Sequence, residues 1–438
     1  MKKETFIKST IILMIGGFIT KLLGMIIKIV MSRLMGSEGI GLYMLVLPTF
    51  SLFIGLGQFG LPIALSKMVA EDRKNNKKLF SSLLTTSLAI NIFLIIFLIL
   101  FTPILANKLL QEERSYLPIL AMAVVIPLTS TSSIVRSYFF GKQRMFPHVF
   151  SNCLEDIVRL ILMFILIPLF LPKGLEITVT VVILSNVISE LTSILVLFFF
   201  LPKNTSYRLE EFHIKKSYIK DALDISIPTT LSRLIGSIGY FLEPIILTTA
   251  LKYSGYSSNF ILNQYGILQG YVLPLVLLPS FFTLAISQAL LPVIAKAISN
   301  KEIVYTKNKI RQAIILSLFI GIPATILFVT MPSFFLQVMY HTNQGSLYLK
   351  VLAPICLFQY IQAPLAFSLD AMGRSKDNLK ATIFGTIIRT ITLLLFSLLK
   401  IGLWGYIIST SIHVIFVTIY NYYQVKKYLS NFTTISQK

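Results

Sequence analysis

Apolar runs of about 20 residues recur along this 438-residue chain, separated by short clusters of charged and turn-forming residues. A helix that crosses the hydrocarbon core of a bilayer needs about that length. The runs are continuous rather than alternating, which excludes an outer-membrane barrel. A mean hydropathy of +0.79 and a charged fraction of 13%, against roughly 25% in an average soluble domain, exclude an ordinary cytoplasmic globule. The pattern predicts an all-α polytopic membrane protein.

Cutting at the charge clusters and turns predicts about twelve transmembrane helices, near residues 6–32, 41–66, 80–104, 116–140, 146–171, 177–201, 222–250, 265–295, 310–338, 347–371, 378–399 and 401–424. They divide into an N-terminal six-helix lobe at 1–201, a cytoplasmic linker at 202–221 and a C-terminal six-helix lobe at 222–438. The basic start MKKETFIKST leads into an apolar stretch that runs past Lys21 without a small-residue cleavage site, so it predicts helix 1 rather than a signal peptide. The longest connection is too short to hold an appended enzyme domain.

A net charge of +21 would point to nucleic acid in a soluble chain. Here the excess is spread over many short loops, and the bias of lysine and arginine toward cytoplasmic loops is the better explanation. With the N-terminus inside, 27 of the 39 lysines and arginines fall in inside segments and 7 in outside ones. Both termini are therefore expected in the cytoplasm, and no nucleic-acid partner is expected. The remaining five cations, Lys21, Lys28, Arg159, Arg233 and Arg389, lie inside helices. Cys153 and Cys356 lack any ligand spacing, so neither metal nor cofactor is expected.

The two halves carry matching fragments in the same order. Thr20-Lys21-Leu22-Leu23-Gly24 recurs as Ser232-Arg233-Leu234-Ile235-Gly236, Gln58 with Leu61-Pro62 recurs as Gln288 with Leu291-Pro292, and Ile157-Val158-Arg159 recurs as Ile387-Ile388-Arg389. Six helices per copy is an even number, so the copies run parallel, and transporters built from repeats carry their substrate between them. The repeat thus predicts two six-helix bundles around a central cavity.

The stretch from Ser9 through Gly24, the turn Gly36-Ser37-Glu38-Gly39-Ile40-Gly41-Leu42-Tyr43-Met44, Pro48-Thr49-Phe50 and Gln58 through Glu71 together resemble the stage V sporulation protein B family. The likeness is dense over 9–71 and looser over 215–300 and 350–390. It implies membership of the multidrug, oligosaccharidyl-lipid and polysaccharide exporter superfamily, which includes the lipid II flippases. Many relatives have fourteen helices, and in the lipid II flippases the last two are associated with a groove for the lipid tail, whereas twelve are expected here. The resemblance also implies basic cavity residues on the first helix, with Lys21 on the matching motif position and Lys28 close to one.

An ionisable side chain at membrane depth costs about 2.5–3.5 kcal/mol on insertion scales, so it normally faces the protein interior or water. Lys21 and Lys28 are two turns apart and share a helix face. The repeat pairs Lys21 with Arg233 across a central cavity where a pyrophosphate could bind, although snorkelling or structural pairing would also account for the two lysines. Arg389 has no acid four residues before it, so its partner is expected from another helix or from substrate, and it joins these as a cavity candidate. Glu155 and Arg159 have the i, i+4 spacing of an intrahelical ion pair, which favours a structural role. Glu190 and Glu243 could neutralise a cation or carry a coupling proton or sodium ion.

These features favour a flippase or exporter that moves a polyprenyl-pyrophosphate-linked saccharide across the cell membrane by alternating access, in spore cortex or cell-wall synthesis. Its partners are the lipid-linked saccharide, membrane lipids and a coupling ion. A cation-coupled multidrug exporter fits the helix count, but its cavity should favour acids. A membrane enzyme acting on lipid-linked glycans would need a large loop or carboxylate cluster, and none stands out, so no enzymatic activity is expected.

Overall fold

The computed structural model of the chain describes residues 3–71, 75–201 and 216–436, and every element among them is helical. In chain order these are α1 (Lys3–Gln58), α2 (Leu61–Ala70), α3 (Asn76–Pro103), α4 (Tyr116–Gly141), α5 (Met145–Phe170), α6 (Leu175–Phe200), α7 (Lys216–Tyr253), α8 (Ser258–Gly266), α9 (Leu273–Val276), α10 (Ser280–Ser299), α11 (Ile303–Thr330), α12 (Pro332–Tyr340), α13 (Ser346–Ala371), α14 (Ser375–Ser397) and α15 (Trp404–Ser436). Large apolar side chains face outward on several of them, among them Phe199 at 86% and Phe319 at 75% exposure. Soluble monomers do not leave apolar surface open on this scale, and the protein is a multi-pass membrane protein.

Nine helices among the described residues are long and apolar enough to cross a membrane, where the sequence predicted twelve. The shortfall has physical causes. Ile15–Gln58 is a single helical stretch of 44 residues, and at about 1.5 Å per residue it is roughly twice the hydrocarbon thickness. The expected loop between the first two helices is only a kink at Gly36, whose φ of 69° and ψ of −176° are open essentially to glycine alone. α5 carries Glu155, Asp156 and Arg159 within five positions, and α15 includes Ser409, His413 and Asn421.

The expected second and eighth helices are broken. α1 ends at Phe59 and Gly60, both with positive φ, before Pro62 starts α2. The expected helix at 265–295 comprises α8, a π-helical turn at Ile267–Val272, α9 with Pro274 in its first turn, and α10 beginning after Pro279. Pro62 and Pro292 correspond in sequence, yet the first follows a break while the second lies inside α10. The expected ninth helix is likewise divided, into α11 and α12, at Met331 before Pro332.

By contact the chain forms two compact units, Met1–Ile245 and Ile246–Lys438. In the first, Leu61, Leu65, Leu79, Phe80, Ile134 and Tyr138 form a core that takes in Ala222, so the start of α7 packs with the preceding helices. A Cβ at Gly60 would lie 2.7 Å from the Ser226 carbonyl oxygen, and only glycine permits that approach of α7. In the second unit, Leu290, Ile294, Ile310, Leu365, Leu369 and Val425 knit α10, α11, α13 and α15 together. Residues 202–215 of the expected linker lie outside the described residues.

Candidate functional site: a buried charge cluster beside a cationic cavity

Three adjacent helices of the first unit each present two polar residues one turn apart, the spacing that places side chains on one face. These are Ser132 and Arg136 on α4, Glu155 and Arg159 on α5, and Glu190 and Ser193 on α6. Arg136 Nη2 pairs with Glu155 Oε2, donates to Ser193 Oγ at 2.7 Å and stands 3.7 Å from Glu190 Oε2. The other Glu155 oxygen takes Arg159 Nη2, so one carboxylate bridges two guanidinium groups. Ser132 Oγ donates to Glu190 at 2.6 Å, and Arg159 Nη1 lies 3.4 Å from Asp156. Glu155 and Glu190 are 7% and 4% exposed. Burial at that level is tolerable for charge only when it is paired and hydrogen-bonded.

Arg136 also belongs to a cavity of about 600 Å³ in the same unit. Lys67 near the end of α2, Arg136, His148 near the start of α5 and Arg233 on α7 line it together with the hydroxyls of Ser66, Ser133 and Ser137. None of its lining residues is acidic. The break at Phe59–Gly60 ends α1 where Gln58 Nε2 can donate to Ser133 Oγ at 2.8 Å, and Asn91 Nδ2 on α3 donates to the Gly57 carbonyl at 3.2 Å. These bonds fix the cavity wall. Lys67, Arg136 and Arg233 with serine hydroxyls, and no acid in the lining, suit a multiply charged anion, while Glu155 and Glu190 behind the wall offset part of the Arg136 charge.

The structure brings Arg233 together with Arg136 and Lys67, and Arg136 in turn with Glu155, Arg159 and Glu190. Lys21 and Lys28 stand on α1 outside this lining, the first exposed and the second half-buried. Glu243 is buried on α7. In the second unit Arg389 Nη2 on α14 donates to the Tyr406 hydroxyl on α15 at 2.7 Å, which also accepts from Gln269 Nε2 at 2.9 Å. The sequence left that partner to another helix or to substrate. Gly385 occupies the position that Glu155 holds in the first half, and His413 packs against it.

Sequence reasoning missed Arg136 and Lys67. Both were counted among cytoplasmic connection charges, since each sits near the end of an apolar run. The available signal was the pair Ser133 and Ser137 flanking Arg136, a polar stripe continuing one face of an apolar helix.

Comparison with known proteins places the fold. Solved structures with the same fold include an inward-facing multidrug resistance MATE family transporter of the MOP superfamily, with a TM-score of 0.73 and 16% identity over 95% of this chain and 96% of that one. The lipid II flippase MurJ in an inward closed conformation gives 0.72 and 16% over 94% and 87%. The fold is therefore the two-lobed helical fold of this transporter superfamily. The polysaccharide biosynthesis protein family matches residues 6–298, and the MatE family matches 269–395. Stage V sporulation protein B of Bacillus subtilis (strain 168) is 33% identical over 98% of this chain and 85% of its own length. Lipid II flippase MurJ of the same organism is 22% identical over 96% and 82%. The chain belongs to the stage V sporulation protein B family, within the polysaccharide biosynthesis proteins.

Proposed function

We propose that the protein is a flippase or exporter of a lipid-linked saccharide, and that the cavity walled by Lys67, Arg136 and Arg233 receives the pyrophosphate that joins lipid to sugar. The observation that carries this reading is the cation-only lining of that cavity. A pyrophosphate brings at least two negative charges and many acceptor oxygens, which matches two guanidinium groups, an ammonium and the hydroxyls of Ser66 and Ser133. A cavity for cationic drugs would need the opposite sign, so the multidrug reading is disfavoured. Lys21, Lys28 and Arg389 are the further cations that we assign to the substrate path.

Movement by alternating access of lobes 1–201 and 222–438, joined through 202–221, follows from the repeat. The 27-to-7 division of basic residues supports cytoplasmic termini in the cell membrane. Glu155, Glu190 and Glu243 are the candidates for proton or sodium coupling, and the relatives support spore cortex or cell-wall synthesis as the setting. Nothing in this scheme requires covalent chemistry, and we infer a transporter rather than an enzyme.

The test places purified protein in vesicles containing a lipid-linked oligosaccharide and follows exposure of its sugar to an impermeant reagent on the opposite leaflet. Protein-dependent exposure, lost in Arg233→Gln, is the expected result. Exposure no faster than in protein-free vesicles would refute the reading.

A further inference from the structure

The second unit holds a cavity of about 580 Å³ where α8 and the turn leading into α13 meet the start of α15. Its chemistry is the reverse of the first unit's cavity. None of its ten lining residues is charged. Four carboxamides converge on it, from Asn259, Asn263, Gln264 and Gln344, and three aromatic rings complete it, from Phe260, Tyr348 and Trp404.

The groups are held in place. Tyr348 Oη donates to Gln264 Oε1 at 2.7 Å, which occupies that acceptor and leaves the carboxamide NH2 to donate elsewhere. The Tyr348 and Trp404 rings meet edge to face with centroids 5.1 Å apart. Phe260 stacks on Tyr256 at 4.8 Å, and the Tyr256 hydroxyl donates to the Lys400 carbonyl at 2.6 Å. Gly345 has φ of 88°, and a Cβ there would lie 2.7 Å from Ile267 Cγ2. Only glycine lets the turn carrying Gln344 come this close.

Ligand classes can be sorted by what each would require of this wall. A charged head group would need a countercharge. An apolar molecule would strip water from a wall lined by four carboxamides and return no hydrogen bond to it. A ligand dense in hydroxyls, each both donor and acceptor, matches carboxamides, which offer both functions, while its C–H faces lie against the rings. The volume falls in the range of ordinary small-ligand sites.

We infer that this cavity is a subsite for a neutral saccharide. It rests on the flippase reading and deepens it by giving the sugar portion of the substrate a place of its own on the side assigned to the cell exterior, where the sugar arrives after translocation. Aromatic residues at helix ends also serve as membrane-interface anchors, but that role makes no demand for four carboxamides beside them.

Trp404 is the only tryptophan in the chain, so its fluorescence reports on this cavity alone. The detergent-purified protein is titrated with maltotriose and with chitotriose, and with a sulfated disaccharide as control. Saturation-transfer NMR on the sugar protons provides a readout independent of the tryptophan. A saturable emission change in the millimolar range with a neutral trisaccharide, at least tenfold weaker affinity in Asn259→Leu/Gln344→Leu at unchanged melting temperature, and no response to the sulfated sugar are expected. No saturable response to either neutral sugar by both readouts, an equal response to the sulfated one, or unchanged affinity in the double variant would overturn the assignment. Because free sugars are used, failure here leaves the translocation assay intact, and failure of translocation leaves this binding measurable.

Discussion

Replacing Arg136 with glutamine should be among the most damaging single changes in the charge cluster. Arg136 contacts Glu155, Glu190 and Ser193 at once. With it the cluster holds two arginines against three carboxylates, Glu155, Asp156 and Glu190; without it, one arginine faces all three. Removing one partner of a buried ion pair costs about 3–5 kcal/mol, chiefly from the charge left behind. Arg136 is 15% exposed in its side chain and Glu155 9%, so solvent offers little relief. For a unit of this size each kcal/mol moves a melting midpoint by roughly 2–4 °C, so a drop on the order of 10 °C is expected. Adding Glu155→Gln restores the excess of one carboxylate, since Asp156 and Glu190 then face Arg159. The double variant should recover membrane abundance and much of the midpoint relative to Arg136→Gln alone, with a coupling energy of about 1–3 kcal/mol. It should remain transport-deficient, because Arg136 also walls the cationic cavity. Midpoints of the four proteins of the cycle, read by fluorescence-detected size exclusion after heating, measure this. A double variant no more stable than Arg136→Gln, or a single variant as stable as the parent, would show that the ion pairs do not govern the cluster.

Gly60→Ala should lower membrane abundance several-fold, since the residue has φ of 63° and left-handed backbone costs about 1–2 kcal/mol for other residues, before the clash with Ser226; parental abundance would refute this. Arg233→Gln and Lys67→Gln should each reduce translocation at least tenfold at near-normal abundance, and Arg233→Lys should retain part of it, because lysine keeps the charge without the bidentate fork; full activity in the Arg233→Gln, Lys67→Gln double variant would remove the cavity from the path. Single cysteines at Asn259 and Gln344 should react with an impermeant thiol reagent in intact cells, whereas one at Asn75 should not; labelling at 75 would reverse the orientation.

The helices were legible in the sequence because hydropathy is a local property, and α3, α4, α6, α13 and α14 fall within a few residues of their expected bounds. The Glu155–Arg159 pair was legible for the same reason, being one turn apart on one helix. What escaped was everything set by contacts between helices. Arg136 meets Glu155 across 19 positions and Glu190 across 54, and no spacing rule connects residues on separate helices. Lys67 was taken for a loop charge because α2 continues past the expected end at 66. The neutral cavity drew on residues scattered from 259 to 404, most of them in stretches read only as connections.

The three ionisable residues of α5, Glu155, Asp156 and Arg159, have a consequence for how the chain is made. On biological insertion scales a central aspartate or arginine costs about 2.5–3.5 kcal/mol, while each leucine or isoleucine returns only about 0.3–0.6. α5 emerging alone is thus a poor candidate to leave the translocon for lipid, even with Arg159 folded back onto Glu155. α4 precedes it in synthesis and carries the second guanidinium that Glu155 binds. In a glycosylation-tag insertion reporter, α5 alone should insert inefficiently and the α4–α5 hairpin efficiently, with Arg136→Gln abolishing the gain. The arginine that holds the finished cluster together would then also be the residue that admits its neighbour to the membrane.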